Sequence, residues 1–227
     1  MFSKEDIIYE DNHLIVVNKR SGDLVQSDPN GSSSLEIEIK EFIRVRDNKP
    51  GAVYLGVAHR IDRPVSGVVV FAKTSKALIR LNEMIKNRDI SKFYWAIVEN
   101  KPQNSEGQLK HYITRNAKNN TSRASDLPSK DSKEAILNYK LIKSSDRYHL
   151  LEIELLTGRH HQIRAQLSKI GCIIKGDLKY GAKRSNPGGG IALHSRRVSL
   201  THPVKKETLE ITAPTPKDDK LWDFFAR

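Results

Sequence analysis

The chain has 227 residues, with 39 Lys plus Arg against 27 Asp plus Glu, and so carries a net charge of +12. That length supports a hydrophobic core without metal or disulfide staples, and that charge calls for a polyanionic partner or a tolerant surface. A single cysteine, Cys172, excludes an internal disulfide, a four-cysteine zinc site and a CxxC redox pair. Apolar runs such as residues 68–72 fall far short of the ~18 residues of a membrane span. The first ten residues are acidic and mixed, unlike a secretory or transit segment. Composition therefore points away from membrane, secreted, collagenous and coiled-coil classes and toward a basic, soluble, cytoplasmic globular protein.

In chain order, residues 7–17 read as strand, turn and strand, with Asp11-Asn12 at the turn. Residues 33–45 read as a helix with Leu35, Ile39, Phe42 and Ile43 on one face, opened by a capping box of Ser33 and Glu36. A strand at 53–59, a polar corner at 62–67 and an apolar strand at 68–72 follow. A second amphipathic helix spans 74–86, with Ala77, Leu78, Leu81, Met84 and Ile85 on its stripe. Residues 93–98 are strand-like. The polar stretch 114–133 is expected to be a long mobile loop.

Strands are expected at 135–142 and 149–156, the latter turning Leu151, Ile153 and Leu155 inward. A third helix is expected over 158–170, stopped by Gly171. A flexible turn at 186–190 precedes strands at 191–194, 198–200 and 208–212, and Trp222 to Phe225 anchors the end. Strands outnumber helices without strict alternation, which predicts an α+β fold with a mixed, mostly antiparallel sheet flanked by helices.

No GxxxxGK[ST], strand-linked GxGxxG or GxSxG occurs, which removes most of the prior for phosphate-loop enzymes and serine hydrolases. The neighbours His160 and His161 would point about 100° apart on a helix, an awkward arrangement for one metal ion. They are expected to be helix-surface or RNA-contact groups, and no metal is assigned. Asp62 stands at a corner between apolar strands, hemmed by Arg60 and Arg63. Nearby guanidinium groups favour an ionised carboxylate. That suits a nucleophile or electrostatic stabiliser, and equally a residue that caps the turn or pairs with Arg60. Arg164, in line with Leu167, could turn inward to neutralise a buried carboxylate such as Asp62, or lie on a solvated face. The residues alone do not decide between these.

His59-Arg60-Ile61-Asp62-Arg63-Pro64-Val65-Ser66-Gly67 resembles the HRLDxxTSG signature of the RluA-type family of pseudouridine synthases. Further resemblances follow in order: Val16-Val17-Asn18-Lys19; Gly158 to Arg164, similar to GR-x-HQ-x-R, with Gly176-Asp177 and Tyr180-Gly181 behind; and Ala192-Leu193-His194-Ser195 with His202-Pro203. They run from about Ile7 to Pro203. The resemblance implies a bisected sheet with a central catalytic cleft, and a single catalytic domain over 1–227 with no separate N-terminal RNA-binding module. It implies isomerisation of uridine to pseudouridine in structured ribosomal or transfer RNA, with a flipped base and no cofactor. Asp62 would be the nucleophile and Arg164 its partner. Tyr94 would stack on the base and could remove its C5 proton, a harder task for a phenol of ordinary pKa. Arg60 would fill the space of the flipped nucleotide, and Leu193 would lie near the pocket. His59, Lys19, Arg159 and Gln162 complete the expected substrate contacts. RNA is the implied partner, with no membrane, no protein partner and a monomeric state.

The sequence departs from the family pattern at Arg20, Ile61, Val65 and His160, none of which removes the Asp, Tyr or Arg. The basic residues Arg115, Lys118, Arg123, Lys130 and Lys133 make the 114–133 stretch a candidate RNA clamp, or a solvated loop. A non-catalytic RNA-binding or ribosome-assembly protein on the same fold is the main alternative, and a base-excising glycosidase is another.

Overall fold

The computed structural model describes residues 2–27, 31–217 and 219–227. The chain forms two compact units. The first takes Met1–Ile90 with Ser195–Pro216, and the second Ser91–His194 with Lys217–Arg227. The fold is α+β, with mostly antiparallel strands and four α-helices among the described residues.

In the first unit, β1 (Ile7–Glu10) and β2 (Leu14–Lys19) form the expected hairpin. Its turn is an Asx turn, because Asp11 Oδ1 accepts from the backbone N–H groups of His13 and Leu14 at 2.8 and 2.9 Å. β2 pairs antiparallel along its full length with β4 (Ser66–Ala72), from Leu14↔Ala72 to Lys19↔Gly67. All seven residues of β4 are buried, the continuous apolar pattern of a strand covered on both faces. The strand expected at 53–59 shrinks to β3 (Gly56–Val57) against the end of β4.

The first unit's helices keep the predicted faces with shifted ends. α1 (Leu35–Arg46) buries Leu35, Ile39 and Ile43, while Phe42 packs edge-on against Phe2. Its N-cap is Ser34, not Ser33, and Ser34 makes no cap bond; its hydroxyl instead accepts from Ser27 Oγ at 3.0 Å. α2 (Ser75–Asn87) is capped by Thr74 Oγ1, which accepts from Ala77 N–H at 3.2 Å. Ala77 and Leu81 join Leu14, Val16, Val68 and Val70 in a core cluster. Val198 and Leu200 of β10 (Leu193–Thr201) and Ile211 of β11 (Thr208–Thr212) complete it. One continuous strand, β10, replaces the two expected at 191–194 and 198–200.

The second unit is a five-stranded antiparallel array in the order β5-β9-β8-β6-β7. Its strands are β5 (Ser91–Val98), β6 (Glu106–Asn116), β7 (Thr121–Ser125), β8 (Lys133–Ser144) and β9 (His149–Leu155). β8 alternates as a one-sided strand should, burying Ala135, Leu137 and Tyr139. The expected loop at 114–133 is instead largely a β-hairpin: residues 112–116 of β6 pair with β7, from Tyr112↔Ser125 to Asn116↔Thr121. Its polar residues lack the apolar alternation by which strands are recognised, and backbone pairing carries it.

The third helix is α3 (Gln162–Lys169), four residues shorter at its start than the sequence suggested. His161 adopts the left-handed conformation, φ 50°, and so terminates the helix on its N-terminal side. The final α4 (Lys220–Ala226) buries Trp222 and Phe225 as anticipated.

Candidate active site

The residues singled out in the sequence fall in both units. Lys19, His59, Arg60 and Asp62 lie in the first; Tyr94, Arg159, Gln162, Arg164 and Leu193 lie in the second.

Asp62 opens a tight turn, closed by Val65 N–H donating to the Asp62 carbonyl at 3.0 Å, immediately before the rigid strand β4. The turn is lashed to residues 20–23. Gly22 N–H donates to the Arg63 carbonyl at 2.9 Å, Arg63 Nε donates to the Gly22 carbonyl at 2.9 Å, and Ser21 Oγ donates to the Pro64 carbonyl at 2.9 Å. Beneath them sits Lys19, 1% exposed. Its ammonium donates to the carbonyls of Arg20, Asp23 and Arg63 at 2.9, 2.9 and 3.0 Å, which engages all three protons. Burial draws its pKa down to about 8, and the charges of Asp23 and Asp62 work in the opposite direction. Lys19 therefore fastens the Asp62 turn from below, where the sequence reading had it touching substrate.

The neighbouring arginines also make contacts away from Asp62. Arg63 spends its Nε on Gly22, and the exposed Arg60 reaches Gln26 Oε1 at 3.5 Å. Lys19, at the end of β2, is a buried cation whose charge interacts with that of Asp62. His59 accepts from Val70 N–H through Nε2 at 3.0 Å, tying the motif's first residue to β4. Gly67 at the motif's end has φ +112°, and a Cβ there would run into the Ser195 carbonyl, so glycine is required on both counts.

In the second unit Tyr94 lies on β5 opposite Ile153 of β9 and is 7% exposed. Leu193, 3% exposed, begins β10. The Gly158-Arg159 segment is bound to β8. Thr157 Oγ1 accepts from Ile136 N–H at 2.8 Å and donates to Gln162 Oε1 at 2.8 Å; the same Gln162 oxygen accepts from Arg159 N–H at 3.0 Å. Gln162 Nε2 donates to the Ile136 carbonyl at 3.1 Å, and Arg159 Nε to the Glu134 carbonyl at 2.9 Å. Gln162 is thus a buried brace for the start of α3.

Arg164 turns inward, as its alignment with Leu167 suggested. Its guanidinium grips Asp177 with Nε–Oδ2 at 2.7 Å and Nη2–Oδ1 at 2.8 Å, and lies 4.8 Å from the Tyr180 ring centroid. Asp177, part of the Gly176-Asp177 motif, is a structural partner the residue chemistry had not picked out. The two histidines also differ from the helical expectation. The left-handed turn at His161 stacks their rings at 3.8 Å and 21°. His160 Nδ1 meets Ser122 Oγ at 2.8 Å and Nε2 meets Asn120 Oδ1 at 3.2 Å, while His161 Nδ1 meets Tyr180 Oη at 2.9 Å. Tyr180 Oη in turn accepts from Ser122 N–H at 2.7 Å. The pair thus moors β7 to α3. Burial, then the positive Arg164, pushes the His161 pKa down to about 3. Among the described residues, no His, Cys, Asp and Glu cluster has the grouping of a metal site.

The chain matches known proteins along most of its length. Residues 13–169 match the RNA pseudouridylate synthase family. A ribosomal large subunit pseudouridine synthase C of Rickettsia felis is 32% identical over 212 residues, covering 92% of this chain and 67% of that protein. An uncharacterized RNA pseudouridine synthase, YlyB of Bacillus subtilis, is 31% identical over 214 residues, 94% of this chain and 70% of its own. This chain thus spans about two thirds of the length of such relatives. The structure of human RNA pseudouridylate synthase domain containing 4 superposes with a TM-score of 0.79 at 23% identity, over 98% of this chain and 90% of that one, and shares its fold. With the motif of Asp62 fixed on its turn and this match over residues 13–169, the chain belongs to the RNA pseudouridylate synthase family, enzymes that isomerise uridine in RNA.

Proposed function

We propose that the chain converts uridine to pseudouridine in large-subunit ribosomal RNA, with Asp62 as nucleophile. The observation that carries this reading is the placement of Asp62 at a pinned turn, above a buried lysine, inside the family's signature segment. A turn pinned so firmly presents its carboxylate to the reaction without backbone reorganisation. The N1–C1′ glycosidic bond breaks with Asp62 assisting, the detached uracil turns, C5 joins C1′, and the proton lost from C5 is matched by one gained at N1. Reactant and product are isomers, so neither oxidant nor group donor is consumed. Tyr94 stacks on the base during the turn, and Arg164, held by Asp177, is the cation of the same reaction. Arg60, exposed and lightly tethered, fills the place of the extruded nucleotide. Arg159 and Leu193 contribute substrate contacts. His59, Lys19 and Gln162 contribute through the backbone they hold.

The ribosomal assignment follows the names of the relatives that act on the large subunit. The exposed Arg115, Lys118 and Arg123 of the β6–β7 hairpin, with the excess of 12 positive charges, supply phosphate contacts. The 227 residues serve as one catalytic domain acting in the cytoplasm as a monomer, and no described helix is long and apolar enough to cross a membrane.

Mapping pseudouridine in total RNA from a strain lacking the gene, complemented with wild type or Asp62→Asn, tests the reading. One large-subunit position should lose its mark and regain it only with wild type. Restoration by Asp62→Asn would overturn the role of Asp62, and loss of a transfer RNA mark alone would overturn the ribosomal substrate.

A further inference from the structure

Lys92 is an anomaly in the second unit. It stands on β5 two residues before Tyr94, so strand alternation puts the two side chains on one face of the sheet. It lies just outside the β5–β9 ladder, whose first pair is Phe93↔Glu154. The side chain is half-buried, yet its ammonium has no hydrogen bond or ion pair among the described residues. The fully buried cations among the described residues are engaged, Lys19 by three carbonyls and Arg164 by Asp177. Desolvation alone acts on Lys92, and it lowers the pKa. A half-buried ammonium with no counter-charge costs stability, and nothing among the described residues recovers that cost.

Gly158 shows on which side the amine is accessible. Gly158 is exposed, and its φ lies outside the left-handed region, so its backbone does not need glycine. A Cβ there would meet one neighbour only, Lys92 Nζ at 3.9 Å, an ordinary contact. Neither strain nor crowding therefore explains the glycine; a longer side chain at 158 would lie over the lysine's amine. A partnerless ammonium beside a bare backbone, on the same face as the base-stacking Tyr94, is arranged to receive an anionic oxygen from outside.

We propose that Lys92 is a substrate-binding residue that takes a backbone phosphate of the bound RNA, and that Gly158 keeps the approach to it open. The assignment rests on the proposed function. Lys92 binds ground state and transition state alike, so it acts on KM more than on kcat.

The test is steady-state release of tritium from C5-tritiated uridine in large-subunit rRNA transcripts, over a series of salt concentrations. Lys92→Met should raise KM at least tenfold and leave kcat within about threefold. It should also flatten the salt dependence of log KM by about 0.7–0.9, the contribution of one phosphate. Lys92→Arg should restore most of the affinity. Gly158→Leu should reproduce the KM increase with the lysine still present, and Gly158→Ala should not. Thermal midpoints separate a structural role, because removal of an unpaired ammonium should leave the midpoint unchanged or higher. A Lys92→Met enzyme with wild-type KM and salt slope, or one that melts lower and is not rescued by arginine, overturns the assignment. Absence of tritium release from the wild-type protein would instead overturn the proposed function itself.

Discussion

Arg164 sets two nitrogens of its guanidinium against the two oxygens of Asp177, at 2.7 and 2.8 Å, with the side chains 4% and 1% exposed. Arg164 also lies against the Tyr180 ring, whose hydroxyl meets His161, so the orientation of a key cation depends on a carboxylate thirteen residues downstream. Removing one member of a buried pair leaves the other charge uncompensated, at about 3–5 kcal/mol. Asp177→Asn, which keeps the shape, should lower stability by that order in urea unfolding, and should cost more than any single exposed pair such as Arg44–Glu41.

Lys19 predicts a pH dependence of the opposite sense from an ordinary ion pair. Its folded pKa of about 8 lies below the ordinary lysine value, so the unfolded chain binds the extra proton between pH 8 and about 10.5. Stability contributed through Lys19 therefore rises with pH across that window. The stability of wild type relative to Lys19→Met should grow by about 3 kcal/mol between pH 8 and 10.5, read from denaturant midpoints. At pH 7 Lys19→Met should still be destabilised, because three carbonyls lose their donor.

The histidine pair gives a third expectation. With its pKa near 3, His161 stays neutral in the fold while an unfolded histidine protonates near 6.5. As pH falls below 6.5, wild type should lose about 1 kcal/mol per pH unit relative to His161→Gln. His160→Ala removes the contacts to Ser122 and Asn120, and hydrogen exchange at β7 amides should accelerate while the exchange of β9 is unchanged.

Two glycines separate backbone need from access. Gly67→Ala meets both a positive φ and the Ser195 carbonyl, and should give insoluble or unfolded protein by circular dichroism. Gly158→Ala meets neither, and should fold with a thermal midpoint within a degree or two of wild type.

Much of this fold was legible in the residues. The stripe of α2 and the Asp11-Asn12 turn each follow from local chemistry, and each stands close to where it was expected. Strand β9 stands where expected too, but its alternation does not hold, because Leu150 is buried beside Leu151 and Ile153 while Leu155 is only partly covered. The β6–β7 hairpin was not legible, because its tip and β7 are mostly polar and it is held by Tyr180, 58 residues from Ser122. The start of α3 was misplaced for a related reason: a left-handed His161 is stabilised by a ring stack and a distant hydroxyl, neither of which leaves a local signal. At the site, the signature around Asp62 was plain. The deeper supports, Lys19 beneath the turn and Asp177 behind Arg164, are long-range pairings that no spacing rule reveals.

The most direct test of the central claim uses the purified protein and C5-tritiated large-subunit rRNA, comparing wild type with Asp62→Asn under single-turnover conditions. The account predicts stoichiometric tritium release and pseudouridine in the product RNA with wild type. It predicts a loss of at least 10³-fold with Asp62→Asn, whose thermal midpoint and RNA affinity stay near wild type. Comparable tritium release by Asp62→Asn, or free uracil in place of pseudouridine, would contradict it.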